Sequence, residues 1–141
     1  MSEDNVEVVR RYFEEAGTDF GWSAQFWEED GDYYPVRKFP EARPCHGRED
    51  IARFMEEFRT AWEGVRWTVK DLRPVGDDRV FAHAHLGVAG RASGMAMEGD
   101  VFHSFWLRHG RFIRQEDHLT MKGALHALGL SRETPEGIGS T

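Results

Sequence analysis

Val101-Phe102-His103-Ser104-Phe105-Trp106-Leu107, then Arg108-His109-Gly110-Arg111, then Phe112-Ile113-Arg114-Gln115-Glu116-Asp117-His118-Leu119: this stretch decides the fold. Two runs rich in apolar and aromatic residues flank a short turn containing glycine, which is the pattern of a β-hairpin. Side chains on a strand alternate between its faces. Val101, His103, Phe105 and Leu107 therefore share one face of the first strand. Ile113, Gln115, Asp117 and Leu119 share one face of the second. If the two faces coincide, an imidazole and a carboxylate point into one apolar environment. Burying two ionisable groups is costly unless they pair. The pair reads either as a structural His–Asp contact or as the acid–base centre of a site.

Outward from the hairpin, the preceding chain supplies more β structure. Residues 65–72, 79–88 and 95–107 read as strands. Gly76-Asp77-Asp78 makes a hairpin turn between the first two. Gly90-Arg91-Ala92-Ser93-Gly94 forms a longer loop before the third. Further upstream the apolar period lengthens to that of a helix. Val6, Val9, Phe13 and Ala16 lie on one helical face with Tyr12 on its flank, and Gly17-Thr18-Asp19 ends the helix. A short helix is expected over 22–27, a turn over 28–32, and a strand over 33–39 that Pro35 confines to an edge or a bulge. A third helix opens near Gly47-Arg48-Glu49-Asp50, carries Ile51, Phe54, Met55, Phe58 and Trp62 on a wide apolar face, and closes at Gly64. After the last strand, residues 121–128 read as a short helix with Gly129 as its cap. Helices first and a strand meander after them mean α+β: helices packed on the concave face of a curved antiparallel sheet. Such a cone leaves a cleft between the layers, the usual form of a ligand pocket.

Composition sets the bounds. The chain has 141 residues, enough for one domain with a real core. Ten Phe, five Trp and three Tyr exceed what a core of this size needs, so some are expected to line a cavity or an interface. The formal net charge of −7 and the lack of a basic stripe argue against nucleic acid as a partner. The lone Cys45 rules out an internal disulfide framework. No apolar run approaches a membrane span of about 20 residues. The opening Met1-Ser2-Glu3-Asp4 lacks the regions of a signal peptide, so the expected location is the cytoplasm. The domain is expected over residues 1–130, followed by a flexible tail over 131–141.

Three stretches carry a resemblance. Arg11-Tyr12-Phe13, Cys45-His46-Gly47-Arg48-Glu49-Asp50-Ile51-Ala52-Arg53-Phe54 and Gly110-Arg111-Phe112-Ile113 resemble the SnoaL-like, polyketide cyclase-like branch of the NTF2-like superfamily. The order of elements matches over roughly residues 5–129. The resemblance implies the NTF2-like cone. It leaves the chemistry open, because the superfamily includes ketosteroid isomerases, polyketide cyclases, epoxide hydrolases, dehydratases and non-catalytic binding domains. The cyclases are similar in placing a His seven residues before the hairpin glycine and a catalytic Asp seven residues after it, which here are His103 and Asp117. Ketosteroid isomerases place an oxyanion-hole Asp where His103 lies, a Tyr where Tyr12 lies, and their base on the first strand. That segment here is Tyr33-Tyr34-Pro35-Val36-Arg37-Lys38, which holds no carboxylate.

The catalytic candidates are thus His103, Asp117 and Tyr12. The expected substrate pocket is lined by Trp27, Tyr33, Phe54, Phe58, Trp62, Phe105 and Gln115. His83-Ala84-His85 has a spacing seen in metal sites, but no third ligand matches it, so no metal is expected and the two rings are assigned to the outer sheet face. His46 is expected to serve the turn that opens the third helix. Cys45 has no base beside it and is not expected to be a nucleophile. Phe81, His83, His85, Phe102, Ser104 and Trp106 on the outer face suggest a homodimer, because an apolar patch of that kind is rarely left in water. The expected function is cofactor-free acid–base chemistry, such as isomerisation, cyclisation or dehydration, on a small apolar carbonyl compound. Asp117 would take the proton, and His103 would hold the developing enolate oxygen or shuttle the proton. The alternative is a non-catalytic ligand-binding or dimerisation domain in which His103 and Asp117 satisfy one another.

Overall fold

The computed structural model describes residues 2–16, 23–37, 39 and 42–130. The expected tail and the expected helix end at Gly17-Thr18-Asp19 lie outside these residues. The elements run α1 (Ser2–Ala16), a 3-10 turn (Ala24–Phe26), β1 (Trp27–Tyr34), β2 (Cys45–His46), α2 (Arg48–Ala61), β3 (Trp62–Val75), β4 (Arg79–Gly90), β5 (Ala96–Arg108), β6 (Arg111–His118) and α3 (Met121–Ala127). One six-stranded sheet has the order β2-β1-β6-β5-β4-β3. Val9, Tyr12, Phe13 and Ala16 of α1 and Ile51, Phe54, Met55 and Phe58 of α2 pack on one face of it and make the main core. The expected α+β architecture holds. The sheet is mixed rather than wholly antiparallel, because β1 lies parallel to β6. Those strands are joined through most of the chain, so no hairpin forces them to run opposite ways.

The largest departure from expectation is β1. The acidic run 28–32 was expected as a turn, yet it lies within the strand, and the expected helix over 22–27 is only a 3-10 turn among the described residues. Gly31 explains the difference. A Cβ there would sit 2.9 Å from the Phe112 carbonyl oxygen, closer than a real side chain tolerates. Without one, the two backbones approach and the β1–β6 register shifts between Trp27 and Asp32. The strand then ends at Tyr34, before Pro35.

Helix α2 is held to β1 by its own opening residues. Gly47 has φ +89° and donates its N–H to the Gly31 carbonyl at 2.7 Å. That left-handed backbone suits glycine. Arg48 then aims two guanidinium donors at the Trp27 carbonyl, Nε at 3.0 Å and Nη2 at 2.9 Å. The Gly47-Arg48 pair of the family-like motif is therefore a fastening between helix and strand. Arg48→Ala is expected to destabilise the fold by about 1.5–3 kcal/mol, the range for hydrogen bonds to a charged group. A urea midpoint that does not move would refute this role. The helix stops at Ala61 rather than at Gly64. The Trp62 backbone is already extended, and Gly64, with φ +65°, lies where the β3–β4 register shifts.

In the β5–β6 hairpin, His109 and Gly110 both have positive φ, 54° and 76°, as a two-residue turn matched to strand twist requires. The register then shifts between Trp106 and Leu107, so Leu107 faces Phe112 while Phe105 faces Gln115 and His103 faces Asp117. This bulge corrects one part of the expected phase. Phe112 is fully buried, Ile113 is only half-buried, and Leu119 lies past the strand and is exposed.

Part of the outer sheet face is covered by the chain itself. Helix α3 lays Ala124, Leu125 and Leu128 on Phe81, with Phe102 and Trp106 packed around them. Ser104 Oγ donates to the Ala124 carbonyl at 2.9 Å. One of the three helices thus lies opposite the expected layer. The argument for a homodimer drawn from that face loses its premise, since Phe81 and Ser104 are fully buried. Among the described residues, no helix is long and apolar enough to cross a membrane.

Candidate active site

His103 and Asp117 are direct cross-strand partners. The imidazole Nδ1 lies 2.7 Å from Asp117 Oδ1, and the two side chains are 0% and 4% exposed. Two further donors reach the same carboxylate. Gln115 Nε2, two residues earlier on β6, donates to Oδ1 at 2.8 Å. The Tyr33 hydroxyl donates to Oδ2 at 2.8 Å. That last contact follows from the parallel seam. Tyr33 is in register with Gln115, so its ring stands beside the next inward residue of β6, Asp117. Three donors converging on one group suit a carboxylate acceptor and require the proton of a neutral His103 to sit on Nδ1. His103 Nε2 is then left as an acceptor, buried and without a partner among the described residues. Phe13 and Trp67 approach the His103 ring edge-on at centroid distances of 5.0 and 5.2 Å, and Phe105 stacks on it at 5.9 Å.

A cavity of about 20 Å³ lies beside this group, lined by Tyr33, Pro35, Val36, Phe39, Phe54, Phe58, Val65, Trp67, Leu86, Val101 and Asp117. That volume is room for about one water. Asp117 is the only carboxylate in the lining among the described residues. Of the residues expected to line a pocket, Tyr33, Phe54 and Phe58 do so. Trp62 packs on Phe39 and Phe58, one layer back. Trp27, Phe105 and Gln115 are fully buried and lie outside the lining. Tyr12 also lies outside it, enclosed by Phe13, Phe26, Trp27, Phe105 and Phe112 at centroid distances of 5.1–5.8 Å. The phenol that meets the carboxylate is Tyr33, which the sequence reading counted only as a wall.

Burial, and then the charge of Asp117, hold the Tyr33 phenol well above its ordinary value of 10.0. The folded protein therefore keeps this proton where the unfolded chain would lose it. The linked stability is fully present below about pH 10 and declines as the pH rises above that. Melting temperatures measured upward from pH 8 should fall more steeply above about pH 10 in the wild type than in Tyr33→Phe. Parallel curves would refute the coupling.

The remaining candidates have other partners. His85 Nδ1 and Nε2 meet Asp100 at 2.8 Å and Glu98 at 2.9 Å, and His83 Nε2 lies 3.3 Å from Asp100. Hydrogen bonds that His85 donates to those two carboxylates raise its pKa, and those that Asp100 accepts from His85 and His83 lower that of Asp100. Among the described residues, no group of three or more His, Cys, Asp or Glu side chains is arranged to hold a metal ion. His46 serves its turn, with Nδ1 2.9 Å from Asp32 and its backbone N–H donating to Asp50. Burial pushes the Cys45 thiol up to about 11, so it is a poor nucleophile at neutral pH.

No curated protein matches the chain significantly. Among the solved structures that share its fold are three with the following likeness. One is a protein with a ketosteroid isomerase-like fold from Catenulispora acidiphila, in complex with trimethylamine, 19% identical with a TM-score of 0.69 over 88% of this chain and 93% of that one. Another, assigned as a polyketide cyclase, comes from Xanthomonas campestris pv. campestris, 16% identical with a TM-score of 0.70 over 86% and 94%. The third is TerC co-crystallised with polyporic acid, 20% identical with a TM-score of 0.68 over 89% and 97%. At these identities the likeness speaks for the fold. The model of the SnoaL-like domain family matches residues 7–115, which run from within α1 to within β6. On that match the chain belongs to the SnoaL-like family, on the NTF2-like fold.

Proposed function

We propose that the domain is a small-molecule enzyme whose chemistry is proton transfer at a carbon next to a carbonyl, with no cofactor. The observation that carries this reading is Asp117, the one carboxylate among the described residues in the wall of a mainly apolar cavity, held in place by three donors. In the step proposed, the Asp117 carboxylate takes the proton from the α-carbon. The C–H electron pair moves into the C–C bond and the carbonyl π pair moves to oxygen, giving an enolate. Returning the proton to the same or another carbon completes an exchange or an isomerisation without any redox change. His103 lies outside the cavity lining and gives its Nδ1 to Asp117, so its part is to position the carboxylate rather than to hold the substrate oxygen. Gln115 and Tyr33 position the same group. All the groups named come from one chain. Two fold neighbours are described with small molecules, trimethylamine and polyporic acid, which agrees with a small-ligand site.

A second reading, a ligand-binding domain without turnover, is favoured by the same three donors, since they satisfy the carboxylate without any substrate. Deuterium exchange separates the two. Cyclic ketones in D2O, followed by proton NMR, should lose their α-proton signals faster with the wild type than with Asp117→Asn. Equal rates for both proteins across the panel would leave the binding reading.

A further inference from the structure

We propose that α3 is a proton-released cover of the outer sheet face, and that His118 is the group whose charging loosens it. The helix has seven residues, too few to hold its shape in water unless it is docked. Its docking has few parts. Ala124, Leu125 and Leu128 share a buried cluster with Val75 and Phe81, and Phe102 and Trp106 pack against it. Ser104 Oγ donates to the Ala124 carbonyl, and Arg79 Nη1 donates to the Leu128 carbonyl. His118 lies under the other end. A Cβ on Gly123 would sit 3.2 Å from His118 Nδ1 and 3.2 Å from Thr120 Oγ1, the oxygen that caps the helix. The first turn therefore closes directly on the imidazole, and a glycine is what lets it do so. Phe102, one of the rings that the helix covers, is the cross-strand partner of His118.

The docked ring is badly placed to carry a charge. Its Nε2 is buried and lies 3.3 Å from Glu116 Oε1, on a carboxylate that Arg114 already engages. Asp117 on β6 favours the charge and His103 on β5 opposes it. Asp100, further along β5, is engaged by His83 and His85, and His83 reaches this corner only by stacking on Phe102 at 4.4 Å. Lys122 and His126 of α3 are exposed. Burial outweighs the two carboxylates and holds the His118 pKa below its ordinary value of 6.5. When the helix lets go, the ring meets water and takes a proton more readily, so protons favour the released form. Docking is at full strength above about pH 6.5 and weakens as the pH falls through the lowered value. Release would bare Phe81, Phe102 and Trp106.

The test is amide hydrogen exchange followed by NMR, each rate being divided by that of an unstructured chain at the same pH. The Leu128 and Leu130 amides, which donate to α3 carbonyls, report on the helix. In the wild type their protection should fall roughly threefold or more between about pH 7.5 and about pH 5, while that of Ala82 and Ala84 in β4 holds. The ring-proton signals of His118 should titrate over the same range, with a midpoint below about 6.5. His118→Asn should flatten the fall in protection. His126→Gln, which removes the exposed imidazole of the same helix, should leave it unchanged. Protection that does not respond to pH, a loss shared equally by Ala82 and Ala84, or a His118 midpoint at or above 6.5 would each overturn the proposal. All three are read in the wild type and stand even if a variant fails to fold. A fall that survives in His118→Asn, or one that His126→Gln abolishes, would overturn it as well.

Discussion

Asp117→Asn is expected to lower turnover by roughly 10²–10⁴-fold on any substrate the wild type converts, the usual contribution of a positioned base. The substitution keeps the size of the side chain and removes the proton acceptor. It also disturbs the local contacts. Asp117 accepts from His103, Gln115 and Tyr33, and an amide offers one acceptor oxygen where the carboxylate offered two. At least one donor then meets an NH2 group, so a stability loss of about 1–3 kcal/mol should accompany the loss of rate. A melting curve and a rate measured on the same preparation separate the effects. The rate loss should persist well below the variant's melting temperature. An undiminished rate in Asp117→Asn would remove Asp117 from the chemistry.

Phe112→Ala should produce the largest loss of stability, about 3–5 kcal/mol, the range for deleting a buried aromatic ring. Phe112 is fully buried, and its ring meets Tyr12, Phe26, Trp27 and Phe105 at centroid distances of 5.4, 5.9, 5.3 and 4.7 Å. The residue ties α1, the 3-10 turn, β1, β5 and β6 together. None of these neighbours is small enough to swing into the space left behind. Denaturant unfolding monitored by tryptophan fluorescence gives the number. A loss below about 1 kcal/mol would mean that the cluster repacks.

Alternation along two strands was enough to bring His103 and Asp117 onto one face, because a hairpin is local and its period is fixed. The helical faces of α1 and α2 were legible for the same reason. Three features were not. The bulge at Ile113 shifts the phase of β6 by backbone geometry that no side-chain pattern records. Strand β1 was hidden because Glu28, Glu29 and Asp30 look like a solvated turn, and what makes them a strand is the space that Gly31 leaves for the Phe112 carbonyl. The contact of Tyr33 with Asp117 depends on the parallel seam between β1 and β6, so it could not be read before the strand order was known. The sequence pattern marked Tyr12 as a catalytic candidate and Tyr33 as a wall, and it is Tyr33 whose hydroxyl meets Asp117. A signal was present in the sequence, since a tyrosine within an apolar, edge-like segment needs a partner for its hydroxyl. The same seam explains why Trp27 and Phe105 became core rather than cavity wall.

The three donors on Asp117 differ in how far apart the chain holds them. His103 is 14 residues from Asp117 and Gln115 only two, whereas Tyr33 is 84 residues away. By loop-closure entropy alone, joining ends 84 rather than 14 residues apart costs about 1.6 kcal/mol more. The imidazole and the amide arrive with the hairpin that carries the carboxylate. The phenol arrives only when distant β1 docks along β6. A fluctuation that peels β1 from that seam would release the Tyr33 hydroxyl first and leave the His103–Asp117–Gln115 unit intact. The carboxylate would then have one oxygen free to accept a proton, while the other stayed held by its own hairpin.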